Sequence, residues 1–557
     1  MKKYTLLWLT LVIAGGIQAQ SGGGKPGAEI TYGFKYNGKD VPEGGLKLFI
    51  QGDKVSYQPL NAVAQKERKF LDNKGKATYQ VITGKQGEQL AFRKAFADYD
   101  KPELLPGTDT VLGYICKKAK VRVRSNTIEI WYTDALQVKA TPVLEFGPGL
   151  GLILRTLRNG TSEYIATKVD LRNVRNEELK WPVAMGTMVD DATYLRQVIE
   201  NRFTTLNIFN QEQISWGNKF NDPANDQENV TYHYAGGTVI LKKVKLPETT
   251  NVTLFAEVAE QSNGDAYDRT GSVFVIPVDK KTSFLDGLKK GVKELPAYHG
   301  KYRGVVATDS YLPTLELMRF FTPFGVKFYN EKTRIKGYQW ADSAVYRQDI
   351  TELLPRLQGE VWLGIYIGNY DKGGHKVSLR LKYYPADNDQ KEIKKEDWVM
   401  PVFNTTNLME MADQEYGTMF GKDSLEVTVN IPEGLKNLRM RYTTTGHGGW
   451  GGGDEFNQKL NEIFVDGERV YHFIPWRTDC GNFRLSNPST GNFVNGLSSS
   501  DLSRSNWCPG GVTEPITIPL PDLTPGVHTF KVAIPLGERE GNSFSAWNVS
   551  GCLLGEK

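Results

Sequence analysis

Apolar and polar residues alternate with a period of two along much of this chain. Lys376-Val377-Ser378-Leu379-Arg380-Leu381-Lys382-Tyr383 alternates cleanly, as do Leu425-Glu426-Val427-Thr428-Val429 and Phe530-Lys531-Val532-Ala533-Ile534. Alternation puts every second side chain on one face of a strand, and Gly, Pro or Asn turns bound each run. Helical spacing is confined to short windows, the best being Ala192 to Asn201 and Ser283 to Lys293. Many strands and few helices predict an all-β protein of antiparallel sandwiches, without alternating α/β layers.

Met1 to Ala19 departs from that pattern. Lys2 and Lys3 precede an apolar run from Leu6 to Ala14, and small residues lead to Ala19. This is the pattern of a secretory signal peptide cleaved near Ala19, and the run is too short to span a bilayer. The expected destination is periplasmic or secreted, with no later membrane span. The expected units after the signal peptide (1–19) are an N-terminal β-rich domain (20–185), a connector (186–203) and two further domains (204–387 and 388–557).

Charge changes the picture little. A formal net charge of +4 on 557 residues, with no run of Lys and Arg, argues against nucleic acid as a partner. Aromatic residues make up 11% of the chain, with 11 Trp, which suits an exported protein that stacks on sugars or peptides. The four cysteines are Cys116, Cys480, Cys508 and Cys552. Cys480 and Cys508 share a Gly/Ser/Asn-rich region and are the expected disulfide in an oxidising compartment, whereas Cys116 and Cys552 read as buried thiols. No Cys or His spacing suggests a metal site, and no cofactor is expected.

The candidate chemistry centres on Asn263-Gly264-Asp265-Ala266-Tyr267-Asp268-Arg269-Thr270-Gly271-Ser272-Val273-Phe274-Val275. A polar turn runs into a β-branched and aromatic strand, so Asp268 should lie where loop becomes sheet, a place where rigid scaffolds present chemistry. If Asp268 begins the strand, Arg269 points to the opposite face and braces the loop from behind.

Tyr267-Asp268-Arg269 followed by Val273-Phe274-Val275 resembles the W-D-R-x-x-x-V-x-V segment of the peptide-N-glycosidase F family. Further segments follow in the family's order: Arg319-Phe320-Phe321-Thr322-Pro323, Asp349-Ile350-Thr351, Val399-Met400-Pro401-Val402, Gly453-Asp454-Glu455-Phe456, and Arg504-Ser505-Asn506-Trp507-Cys508-Pro509-Gly510. Phe146-Gly147-Pro148-Gly149-Leu150-Gly151-Leu152-Ile153, in the N-terminal unit, resembles the end of the GLPGLI family of exported bacterial proteins and implies no chemistry. The first resemblance implies two side-by-side antiparallel jelly-roll domains after the β-rich N-terminal domain. It also implies a monomeric amidase that cleaves between asparagine and the first GlcNAc of N-glycosylated proteins or glycopeptides.

Carried over by residue, Asp268 is the central catalytic carboxylate and Glu455 the second. Arg269 and Arg504 hold geometry and substrate oxygens, and Asp265 and Tyr267 line the floor. Cys480 with Cys508 matches one family disulfide. Trp450, in the glycine run from Gly446 to Gly453, and Trp507 are placed as substrate-binding residues, each able to contact a sugar or to pack structurally. The chain also departs from the family. Gly453 and Asn457 flank Glu455 where the family has a disulfide, Gly368 stands where it has a third acid, and Gly449 falls near its histidine. Two side chains reduced to glycine suggest a pocket that accepts core fucose.

Amide hydrolysis needs a base to direct water and an acid to protonate the departing nitrogen, and two carboxyls in one cleft can divide those roles. Two other classes compete. A glycan- or glycopeptide-binding protein of the same fold would explain Gly368 but not the intact Asp268 and Glu455. A copper monooxygenase would need clustered imidazoles, and the six histidines show no such spacing.

Overall fold

A computed structural model describes residues 26–61, 67–386, 394, 397–415, 419–420, 424–448, 453–490, 497–534, 536 and 545–557. The proposed signal peptide and Trp450 lie outside the described residues. The chain divides into two compact units, 1–202 and 203–557. Among the described residues of the first unit, thirteen strands form one extended sheet, antiparallel except where Thr187–Met188 runs parallel to Gln89–Ala95. Its principal core is built from inward residues such as Ile30, Leu48, Leu152 and Leu154. The helix expected near its end is present at Asp191–Asn201, capped by Asp190, whose carboxylate accepts from the Thr193 backbone N–H at 2.7 Å.

The second unit contains two antiparallel sandwiches. In the first, a four-stranded sheet (Thr204–Ile214, His375–Pro385, Val252–Ser262, Ala344–Asp349) faces a six-stranded sheet. The latter includes Gly359–Ile367, Thr270–Ile276 and Leu315–Phe321. Both sheets contribute to one apolar core containing Val258, Val273, Leu317, Leu363 and Leu379. In the second, four strands including Lys436–His447 and Ala546–Glu556 face four others including Leu425–Ile431 and Gly526–Ala533. The all-β expectation holds, and each alternating run quoted above falls in or across the end of a strand.

Two features tie the sandwiches together around the site. Val512–Thr513, from the second half of the chain, pairs with the edge of Leu315–Phe321. Arg319 of that strand is 1% exposed and pairs with Glu316 at 2.8 Å, while donating to Thr406 and Thr445 hydroxyls and to the Asn548 carbonyl. A buried guanidinium is tolerated because its donors find acceptors; removing one partner would leave an uncompensated charge. The strand after Asp268 is held close to its neighbour, because Gly271 lies opposite Phe320 and a Cβ there would stand 2.3 Å from the Phe320 ring.

Among the described residues no helix is long and apolar enough to cross a membrane. Cys480 and Cys508 are joined as a disulfide, and Cys116 and Cys552 are free and buried.

Candidate active site

The loop bearing Asp268 is fixed before its chemistry begins. It links Val252–Ser262 to Thr270–Ile276, so the strand starts two residues after Asp268. Asp265 accepts from the Tyr267 backbone N–H at 3.1 Å, a local turn that Asp makes readily. Thr322 clamps the loop's exit: its hydroxyl accepts from Arg269 N–H at 2.8 Å and donates to the Tyr267 carbonyl at 3.2 Å, and its own N–H donates to the Arg269 carbonyl. The Thr of Arg319-Phe320-Phe321-Thr322-Pro323 therefore holds the loop in place.

Beneath the loop lies a cluster of alternating charge. Arg269 folds back to donate to both oxygens of Asp265, at 2.7 and 3.2 Å. His375 approaches Asp265 at 3.6 Å through one ring nitrogen and meets Glu260 at 2.8 Å through the other. Glu260 and His375 are fully buried and Asp265 is 2% exposed. Burial opposes charge on Asp265, yet His375 and Arg269 hold its carboxyl well below the usual range. Burial likewise opposes the imidazolium, but the two carboxylates raise His375 to about 9. Glu260 is raised by burial, against the pull of His375. The guanidinium of Arg269 sits over Tyr267 and Tyr370, 5.2 and 5.3 Å from their ring centroids.

Glu455 arrives from the second sandwich on a turn closed by Asn457, whose side chain donates to the Gly453 carbonyl at 2.7 Å. A hydrogen bond thus closes the turn flanked by Gly453 and Asn457. Ser505 secures it further: its N–H donates to the Glu455 carbonyl and its hydroxyl to the Asp454 carbonyl, at 3.0 and 2.6 Å. The Asp454 carboxylate accepts from the Trp547 indole at 2.8 Å, so the residue beside Glu455 is anchored in the core.

Arg504 brings the two carboxyls together. It is 1% exposed, donates to Glu455 at 3.1 Å and lies 3.7 Å from Asp268. The side chains of Asp268 and Glu455 keep 17% and 22% of their surface open, so both are reachable by water or substrate. Burial raises Asp268, against the pull of Arg504 and Arg269. Burial and the neighbouring Asp268 raise Glu455 to about 8, outweighing Arg504. One cation between two crowded carboxyls leaves the pair holding a proton near neutrality.

The remaining predicted residues fall in different places. Tyr267 is 62% exposed above Arg269. Trp507, placed among substrate-binding residues by its sequence, is 3% exposed; its ring stacks on Phe321 and His447, and its indole donates to the Gly446 carbonyl. That packing makes it a support behind Arg504, whose guanidinium lies 4.9 Å from its ring. His375 and Glu260 were missed in the sequence. Their signal was present on Val252–Ser262, where the buried face runs Leu254, Ala256, Val258 and then Glu260, an acid at an apolar position.

A cavity of about 160 Å³ opens beside Asp268, bounded by Arg269, Thr270, Tyr366, Gly368, Tyr370, Asn407, Glu410 and Asn548. Among the described residues no group of His, Cys, Asp and Glu is arranged to hold a metal ion.

Three family models match in succession: N-glycanase peptide, N-terminal domain, at residues 47–196; peptide-N-glycosidase F, N terminal, at 205–383; and peptide-N-glycosidase F, C terminal, at 415–554. The unit whose glycine-rich segment is similar to the GLPGLI family thus matches an N-glycanase domain. Two crystal structures of PNGF-II, in space groups C2 and P21, are each 44% identical to this chain and cover 96% of it. The match covers 98% and 100% of those chains, with TM-scores of 0.83 and 0.86. No curated protein matches this chain. The likeness runs through nearly the whole length of both partners, and the chain belongs to the peptide-N-glycosidase F family.

Proposed function

We propose that this protein is an exported peptide-N4-(N-acetyl-beta-glucosaminyl)asparagine amidase that releases N-glycans from glycoproteins or glycopeptides, acting as a monomer. The observation that carries the reading is the pair Asp268 and Glu455, from different sandwiches, held about one cation and open to solvent. Asp268, raised by burial against the charges of both Arg504 and Arg269, is in this reading the base that takes a proton from the attacking water. Glu455, raised to about 8, is the protonated member and delivers its proton to the departing amide nitrogen. Water adds to the carbonyl carbon, the carbon–nitrogen bond breaks, and the products are aspartate and a free glycosylamine. Arg504 lies where it can stabilise negative charge developing on the carbonyl oxygen.

The same reading extends to glycans carrying a core fucose, supported by the cavity beside Gly368. A Cβ at that position would lie 2.5 Å from the Tyr366 hydroxyl, so any side chain at 368 would crowd the cavity wall that Gly368 helps to line.

The test is mass spectrometry of a defined N-glycopeptide, with and without core α1,3-fucose, treated with wild type and Asp268→Asn. Free glycan plus a peptide in which aspartate replaces asparagine, seen with wild type alone, is the expected result. A peptide that retains GlcNAc on asparagine would make the protein a glycosidase. Cleavage of the plain substrate only would end the fucose reading while leaving the amidase intact.

A further inference from the structure

The cavity beside Asp268 has a polar wall that none of the assignments above uses. It is supplied by the turn after Trp398–Asn404, where Glu410 begins a short 3-10 segment, Glu410–Ala412. The turn is tightly held: Glu410 N–H donates to the Asn407 carbonyl at 3.0 Å, and the Gln414 side chain accepts from Met409 N–H while donating to the Arg303 carbonyl. Tyr366 and Tyr370 each donate a phenolic hydrogen bond to Glu410, at 3.3 and 2.6 Å, one to each carboxylate oxygen. Each oxygen has a second lone-pair direction, so the carboxylate can accept further hydrogen bonds from a ligand.

Asn407 is the second observation. It is 5% exposed, its backbone is fixed in the turn, and neither end of its side-chain amide has a hydrogen-bond partner among the described residues. A buried amide unpaired at both ends is costly in a protein interior, and its position in the cavity wall supplies the means of relieving that cost. What relieves it must offer both a donor and an acceptor to a cavity already holding a carboxylate. A sugar hydroxyl or acetamido group has that chemistry, whereas an apolar or purely anionic group does not.

Gly368 links this wall to the acid missing from the strand end. The Cβ built at Gly368 stands 3.6 Å from the nearer oxygen of Glu410. A carboxylate therefore occupies the space next to position 368, delivered from the second sandwich.

We propose that Glu410 and Asn407 form a sugar subsite beside Asp268, in which Glu410 takes the place of the side chain absent at position 368 and accepts hydroxyl hydrogens of the glycan's first sugar. Both are specificity and positioning residues; neither transfers a proton in the reaction. The inference rests on the amidase reading for its biological meaning, but its binding chemistry can be tested separately.

The experiment is calorimetric titration of N,N′-diacetylchitobiose into Asp268→Asn, and into the same protein carrying Glu410→Gln or Asn407→Leu, alongside glycopeptide kinetics in the Asp268 background. Glu410→Gln is expected to weaken chitobiose binding tenfold or more and to raise KM by a similar factor with kcat within about threefold, the pattern of lost uniform binding. Glu410→Asp should recover part of that loss. Asn407→Leu is expected to weaken binding while leaving Tm unchanged or raised, because it removes an unpaired buried amide. A lowered Tm with unchanged affinity would show a structural role and overturn the proposal for that residue. Chitobiose affinity within twofold of the parent in both variants, or no chitobiose binding by the parent, would overturn the subsite. If wild type cleaves no glycopeptide while chitobiose binds and both variants weaken it, the amidase reading fails and the subsite stands.

Discussion

Beneath the loop from Asn263 to Arg269, two carboxyls and two cationic groups alternate: Glu260, His375, Asp265 and Arg269. At the end of the same loop, Asp268 shares Arg504 with Glu455. In the lower cluster Glu260, His375 and Asp265 are closed from solvent, Arg269 keeps 20% of its side-chain surface, and each group has a neighbour of opposite kind; the upper one is open at both carboxyls and short of positive charge. Pairing each group with a neighbour of opposite kind fixes a shape. Partial compensation keeps a mobile proton, the property that acid–base chemistry requires. The loop is therefore rigid at its base and reactive at its tip.

The hardest blow to the upper cluster is Glu455→Gln. It keeps shape but removes the titrating group, and a loss of about 10²–10⁴ in kcat is expected from deleting a general acid. The pH profile is the sharper measure. Glu455 must be protonated to act, so wild-type activity should fall as pH rises through about 8, and that limb should disappear from the residual activity of the variant. An unchanged alkaline limb would assign it to another group.

Arg504→Met takes away the cation instead. Arg504 lowers both carboxyls, so without it the alkaline limb should move upward from about 8, accompanied by a fall in kcat/KM of about 10²-fold. A downward move would mean that Arg504 is not the group opposing Asp268 and Glu455.

The two clusters differed also in how visible they were in the sequence. Asp268, Glu455 and Arg504 lie in short motifs that could be compared in order along the chain. The strand alternation was legible for a simple reason: a sandwich has two faces per strand, and burial selects a period of two. Glu260 and His375 sit in two such strands, 115 residues apart, and only the register Ser262 opposite His375 brings them together. Register depends on which strands pair, and local pattern does not encode that. Asn407 and Glu410 were hidden for a related reason, since irregular turns have no period to read. Trp507 shows the converse: in the sequence a Trp beside Cys508 can either contact a ligand or pack, and only the structure reveals its ring stacked on Phe321 and His447.

For the lower cluster, His375→Gln removes the central cation between two buried carboxyls. The cost expected from breaking a buried charge pair is about 3–5 kcal/mol of stability, measurable by urea unfolding at pH 6. The pH dependence follows from the direction of the shift. His375 is raised from 6.5 to about 9 in the folded state, so its contribution is complete below about 6.5 and is lost as pH climbs through about 9. Asp265 is shifted downward, so its contribution is lost only at acid pH, well outside that window. Wild type should therefore lose more stability than His375→Gln between pH 6 and pH 10.

Tyr267→Ala, at the join between the clusters, should have the smallest effect. Tyr267 is 62% exposed and its ring lies 5.2 Å from the Arg269 guanidinium, which Tyr370 contacts as well. An exposed cation–π contact contributes about 0.5–1 kcal/mol, and the second ring and Asp265 still hold Arg269 in place. Stability should fall by no more than that amount. Kinetics then separate two roles for an exposed ring beside the site. If Tyr267 only steadies Arg269, kcat and KM should both stay within about fivefold of wild type. If a sugar or peptide stacks on it, KM alone should rise while the alkaline limb near 8 stays in place, because the ring lies on the lower cluster and the titrating proton belongs to the upper one.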